Sequence, residues 1–378
     1  MVRHCCPATE LPRETSLCPA VSPLKLCVLP RVARGESCMS SLLIELGIML
    51  LVILLAAELF TNALEHLGER LKISEGVTGS LFAAVGTALP ETMVPLLAIA
   101  GSTAGNAAGG VVNQEIGVGA ILGAPLMLST LSTFLMTLAV LRKRGIKGWV
   151  SPERTGFTRD LNYFLCAFLL AAAAMYVPHE KLYIRALFSI GLVGVYVTYV
   201  VLTFRASHEL VKDGHGTEAP ATMLLARLRL PTNLATIALQ LALAVALLVW
   251  GAEGFIHGVR GVSEGLGISP LLLSLLIIPI ATELPEKVNS ILWIRRGKDT
   301  LAMGNITGAM VFQGTLLPAI GILLTPWTPR VEVVTGVVIT LIAAAWMRIN
   351  VRAQGLRIGV LLVSGVLYAS YLVITLTR

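Results

Sequence analysis

The chain has 378 residues, 55% of them hydrophobic and 13% charged, with a formal net charge of +7. A mean hydropathy of +0.80 excludes an ordinary soluble globular domain. The basic surplus does not imply a nucleic-acid partner, because Lys and Arg gather in alternate loops between long apolar runs; the expected partners are a lipid bilayer and inorganic cations.

Residues 1–38 stand apart. They hold five of the six cysteines, five prolines and five Lys or Arg, with no long apolar run of the signal-peptide kind. The cysteine spacings match no zinc or haem motif. This segment reads as an N-terminal extension, either disordered or the result of a start codon assigned too early, with Met39 the natural start.

Ten apolar runs follow, at about 42–60, 76–100, 114–140, 161–177, 182–204, 232–256, 268–294, 300–325, 331–349 and 356–376. Each approaches the roughly 20 residues that span a hydrocarbon core. The loops after runs 1, 3, 5, 7 and 9 are basic, as in “LRKRGIKGWVSPERTGFTRD” (141–160) and “RRGKD” (295–299). The positive-inside rule makes those loops cytoplasmic, which puts both termini outside. The expected fold is an all-α polytopic membrane protein of ten transmembrane helices.

Span 2 contains “AVGTALPETM” (84–93) and span 7 contains “PIATELPEKV” (279–288). Residues 57–91 laid over 252–286 without a gap give twelve identities in 35 positions, among them Glu58/Glu253, Thr87/Thr282, Leu89/Leu284, Pro90/Pro285 and Glu91/Glu286. The similarity continues from “GVGAILGAPLM” (117–127) to “AMGNITGAMVF” (302–312), pairing Gly119 with Gly304 and Gly123 with Gly308. The repeating unit is five helices, an odd number, so its two copies enter the membrane with opposite orientation. The expected division is 39–204 for the first repeat, 205–231 for a cytoplasmic linker and 232–378 for the second repeat.

Proline inside a helix removes one amide and displaces the carbonyl four residues back, here those of Gly86 and Ala281. In a membrane such carbonyls persist only where they face protein, water or an ion. Thr87 and Glu91 share one helical face, as do Thr282 and Glu286. Each motif therefore aims a carboxylate, a hydroxyl and freed carbonyls at one place, a ligand set for a hard cation. Ca²⁺ takes about 6–8 oxygens in flexible geometry, and two such half-sites could supply them. Asn305 and Gln313 on span 8 add amide oxygens, and the glycines of spans 3 and 8 permit close helix approach. No cofactor is expected, and an intramembrane acid is a functional hypothesis in its own right.

These residues resemble those of the sodium/calcium exchanger family within the cation/calcium exchanger superfamily. “GTALPE” and “ATELPE”, each followed by a G-x-x-x-G helix, look like that family's two alpha-repeats; spans 1–3 and 6–8 carry the likeness, the others only by topology. The resemblance implies a ten-helix inverted-repeat fold of the prokaryotic type and an ion site between helices 2, 3, 7 and 8. It also implies Ca²⁺ export driven by Na⁺, or by H⁺ in some branches. Carried over, the central carboxylates are Glu91 and Glu286, with Thr87 and Thr282 as hydroxyl and carbonyl ligands. Helix 3 departs from the family pattern, with Ala120, Ala124, Pro125 and Leu128 at its four polar places. Helix 8 keeps Asn305 but has Ala309, Met310 and Gln313, and Glu283, which joins the candidate metal ligands, stands where the family usually has Ser.

The expected function is exchange of Ca²⁺ for Na⁺ by alternating access in a prokaryotic plasma membrane. H⁺ coupling, transport of another divalent ion and a non-transporting exchanger derivative are the alternatives. An enzyme is not expected: there is no H-E-x-x-H, no G-x-S-x-G in context and no paired Asp motif. Glu58 and Glu253 sit at the interface or in a vestibule, and Glu115 borders an ion entrance or a solvated helix end. The linker segment “MLLARLRL” (223–230) reads as a simple linker, with an amphipathic surface helix as its alternative. Lys287 follows Glu286 directly. An ammonium there repels a divalent ion unless its charge is held aside, and Glu283, one turn earlier in the favourable Glu-then-Lys order, is its expected partner. The alternatives are a tethered cation that occupies part of the site and a lysine that reaches the interface.

Overall fold

The structure, a computed structural model, describes residues 31–70, 89–101, 107–211, 222–228 and 231–377. Internal contacts divide the chain into residues 1–38 and 39–378, and the helical bundle is formed by residues of the second unit. Helix α1 is Arg31–Arg70, with its apolar stretch at Met39–Phe60. Helix α2 is Leu89–Gly101. Span 3 is one long rod made of α3 (Ala107–Met127), a π-helical turn (Leu128–Ser132) and α4 (Thr133–Arg144). Then come β1 (Trp149–Val150), α5 (Arg154–Ala174) and α6 (Leu182–Val211).

The second half opens with α7 (Leu234–Leu266), started by Asn233, whose side chain accepts the Thr236 amide at 2.8 Å. It ends at Gly267, which adopts φ +65° to turn the chain. Next are α8 (Pro270–Thr282), α9 (Leu284–Arg295), α10 (Asp299–Leu324), α11 (Val331–Asn350), β2 (Leu356–Arg357) and α12 (Ile358–Leu376). Among the described residues, eight helices are long and apolar enough to cross a membrane, and Glu91–Gly101 and Pro270–Pro279 are shorter apolar helices.

Two features of the backbone depart from uniform spans. The run 268–294 is two helices, because the chain leaves helical geometry at Glu283, with φ −89° and ψ 10°. Pro285 falls in the first turn of α9, where its missing amide would have had no helical partner anyway. In span 3, Pro125 withholds an amide and the helix widens one turn later. The Ser129 hydroxyl donates to Pro125 O at 2.8 Å and the Thr133 hydroxyl to Leu128 O at 2.9 Å.

Helix α3 packs most extensively on α8, and α10 on α5 and α6. Gly119 and Gly123 make the first contact possible: a β-carbon on Gly119 would collide with Ser274 Oγ, and one on Gly123 would stand 2.7 Å from Pro279 Cγ. Gly304 has nothing within 4 Å, and Gly308 meets only Tyr199 Oη at 3.7 Å, among the described residues.

Both ends of the bundle are tied by arginine. Arg144 grips Asp299 through two 2.7 Å bonds and donates to Trp149 O and Ile294 O, joining the ends of α4 and α9 to the start of α10. A two-residue antiparallel pairing of β1 with β2 lies beside this clasp. At the other end the buried Arg185 donates to the carbonyls of Ile322, Thr325 and Pro326, the orphan acceptors at the end of α10. The linker is not a free tether where it is described. Met223 is buried, and the amides of Leu224 and Leu225 bond to Asn62 and Gln240.

Candidate cation site

The first motif contributes Glu91, in the first turn of α2 and only 4% exposed. Helix α2 packs on α3 and α7, and its Val94 and Ala98 join Ile116 and Ala120 of α3 in one apolar cluster. Gly86 and Thr87 lie outside the described residues, as do the side chains of Ala281 and Glu286. Glu286 itself is the third residue of α9, four positions after Thr282 at the end of α8.

The second motif is built around the break. Thr282 is buried and its hydroxyl donates to Ile278 O at 3.1 Å, which leaves the oxygen's lone pairs for an acceptor role. Glu283 is fully buried, and its Oε2 lies 3.4 Å from Lys287 Nζ. Lys287, 7% exposed at its side chain, also donates to Pro279 O at 2.9 Å. The ammonium therefore reaches back across the interruption to the last turns of α8; it does not run out to an interface.

Helix α10 presents two amides. Asn305 Nδ2 donates to Ser290 Oγ on α9 at 3.0 Å, so its carbonyl oxygen points the other way. Gln313 is buried, and its Oε1 has no hydrogen-bond partner among the described residues. A buried acceptor in that state is costly unless a ligand supplies the missing interaction. The four places on span 3 that are polar in the family are buried and apolar: Ala120, Ala124 and Leu128 are core residues, and Pro125 lies inside α3.

Among the described residues no three of His, Cys, Asp and Glu gather as a metal cluster. The oxygen donors here are of mixed kind, carboxylate, amide, hydroxyl and carbonyl, as Ca²⁺ accepts.

Residues 41–205 and 236–377 match the family described as sodium/calcium exchanger protein. The chain belongs to the sodium/calcium exchanger family. It is 25% identical over 288 residues to CaxA of Alkalimonas amylolytica, covering 76% of this chain and 81% of that one. It is 24% identical over 280 residues to the inner membrane protein YrbG of Escherichia coli, covering 73% and 78%. Its fold is similar to the crystal structure of the H⁺/Ca²⁺ exchanger CAX, with a TM-score of 0.64 at 17% identity over 92% of both chains. The sodium-calcium exchanger NCX_Mj aligns with a TM-score of 0.52 at 16% identity, over 87% of this chain and 96% of that one. The protein is thus an all-helical polytopic membrane protein of eight to ten crossing helices, a cation antiporter of the cation/calcium exchanger superfamily and not an enzyme.

Several polar residues escaped the sequence reading. Asp160, buried on α5, accepts Thr307 Oγ1 at 2.7 Å and Tyr199 Oη at 3.1 Å. Span 4 starts at Arg154, seven residues earlier than hydropathy places it, because Glu153 caps it by accepting the amides of Thr155 and Gly156. That cap was the available signal. Of the acids that the sequence had placed at helix ends, Glu115 is paired with Arg330 at 2.6 Å. Glu253 lines a cavity of about 340 Å³ with Asn113, His257 and Arg260.

Proposed function

We propose that this antiporter exchanges Ca²⁺ for Na⁺ by alternating access, through one central site to which both motifs contribute. Glu91 and Glu286 supply two negative charges, matched to one Ca²⁺. Thr87, Thr282, the carbonyls of Gly86 and Ala281, and the amide oxygens of Asn305 and Gln313 complete the shell. Glu283 and Lys287 cancel one another beside it. The observation that carries this reading is the interruption at Glu283, one residue after Thr282 and three before Glu286, inside a membrane-spanning segment of an exchanger-family chain. Irregular backbone at that depth is tolerated where it lines a site.

In the same reading 39–204 and 232–378 are two inverted five-helix repeats joined by the cytoplasmic linker 205–231. Both termini face outward, the site lies between broken helices 2 and 7 and helices 3 and 8, and the membrane is a prokaryotic plasma membrane. The second reading takes H⁺ as the coupling ion. The buried Glu283–Lys287 pair and the apolar span 3 favour it, since both reduce the oxygen positions open to Na⁺. Ca²⁺ uptake by everted vesicles, with Na⁺ and pH gradients imposed separately, decides between them. Uptake driven by the Na⁺ gradient alone supports the first reading, and uptake driven only by the pH gradient replaces it with the second. Uptake under neither removes Ca²⁺ antiport altogether.

A further inference from the structure

Lys287 is the fourth residue of α9, yet its side chain belongs functionally to α8. Nζ sits 2.9 Å from Pro279 O, eight residues earlier and on the far side of the break. It sits 3.4 Å from Glu283 Oε2, and the two side chains are 7% and 0% exposed. Pro279 O also receives the Glu283 amide at 3.3 Å. The arrangement has the parts of a monovalent cation site at a helix interruption. The last carbonyls of α8 carry the negative end of that half-helix dipole, Glu283 adds a full negative charge, and a single positive charge lies against both. What differs from an ordinary ion site is that the cation arrives on a covalent stem.

A break in the helix does not itself require such a pair. The corresponding positions of the first motif, 195 residues earlier, are Ala88 and Thr92, neither of which carries charge. The second motif therefore holds one acid and one base beyond what the shared Thr-x-Leu-Pro-Glu pattern contains.

We propose that the Lys287 ammonium is a tethered monovalent cation. It permanently fills a coordination position made by Glu283 and Pro279 O, and so keeps free Na⁺ out of it. A tethered group competes at an effective concentration of the order of mM or more, and Na⁺ could displace it only by stranding a buried ammonium. The consequence for coupling rests on the antiporter reading: each cycle carries one monovalent ion fewer than it would with Na⁺ in that position. The site itself rests on the geometry alone.

The test is Na⁺-specific stabilisation of purified full-length protein, read as melting temperature in NaCl against choline chloride at equal ionic strength. Lys287→Met, which empties the position and leaves Glu283 behind, melts lower than wild type in choline. In NaCl it regains at least about 2 °C more than wild type does. Lys287→Arg, still cationic, and the doubly neutral Lys287→Met with Glu283→Gln both respond to Na⁺ no more than wild type. A Lys287→Met response equal to wild type overturns the proposal. So does failure of Lys287→Met to fold in either salt while the double variant folds, because Na⁺ then does not replace the ammonium. Ca²⁺ uptake by wild type from the same purification, reconstituted into lipid vesicles, reports on the antiporter reading separately. Its absence would sink that reading and leave the Na⁺ response standing.

Discussion

The two Thr-x-Leu-Pro-Glu motifs share one sequence pattern and differ in charge. In the first, Glu91 lies buried in the first turn of α2, with Ala88 and Thr92 around it in sequence. In the second, the same two places hold Glu283 and Lys287, which meet at 3.4 Å across a helix break. Gly119 and Gly123 on α3, beside the second motif, are pressed against α8. The two motifs thus share a proline and a carboxylate at the same places and differ in the charges beside them. What both copies retain is the best guide to the ion, and what only one holds is the best guide to how this exchanger departs from others.

The sharpest way to break the comparison is to neutralise what both motifs keep. Glu91→Gln and Glu286→Gln are each expected to abolish Ca²⁺ transport in vesicles while the protein still folds and inserts. A variant that exchanges at near wild-type rate would remove that residue from the site. The next effect belongs to the asymmetric pair. Lys287→Ala leaves Glu283 buried without its ammonium, which typically costs about 3–5 kcal/mol. Combining it with Glu283→Ser is expected to restore most of the stability, as measured by denaturation of the purified protein. Unchanged stability of the single variant would mean that the pair contributes nothing.

A smaller effect separates packing from ligation on span 3. Leu128, fully buried in the π turn, is expected on truncation to Ala to cost about 2 kcal/mol or more with little change in apparent Ca²⁺ affinity. A large affinity change at constant stability would turn that helix toward the ion. The smallest effect is at Glu153. Burial alone would raise its carboxyl, but the amides of Gly156 and Thr155 outweigh this and hold it below the ordinary carboxylate range. Because the folded value is the lower one, the cap's contribution is complete above the unfolded value of about 4.3. It disappears as pH falls through the folded value. Melting temperature against pH should therefore decline less steeply in acid for Glu153→Gln than for wild type.

Much of this was legible in the sequence because membranes leave so few choices. Apolar runs of sufficient length show where helices lie, and a proline beside an acid marks where one is interrupted. The offset of 195 residues tied the two motifs together before any coordinates. The Glu283–Lys287 partnership was readable from one turn of spacing. What escaped depends on contacts between distant segments. Thr307 and Tyr199 meet Asp160 from two other helices, and nothing near Asp160 in the chain announces them. The clasp of Arg144 on Asp299 closes over 155 positions. The early start of α5 was missed for a different reason: hydropathy locates the greasy middle of a helix, whereas a cap such as Glu153 locates its end. The π turn of span 3 follows from a hydroxyl and proline pattern that hydropathy does not weigh.

The central claim is that the two motifs build one divalent-cation site between them. Equilibrium binding of radioactive Ca²⁺ to the purified full-length protein tests it most directly, comparing wild type with Glu91→Gln and Glu286→Gln. A shared site predicts one Ca²⁺ per chain in wild type and loss of that ion in either variant alone. Two Ca²⁺ per chain, with each variant losing only one, would mean that each motif binds its own ion, and would contradict it.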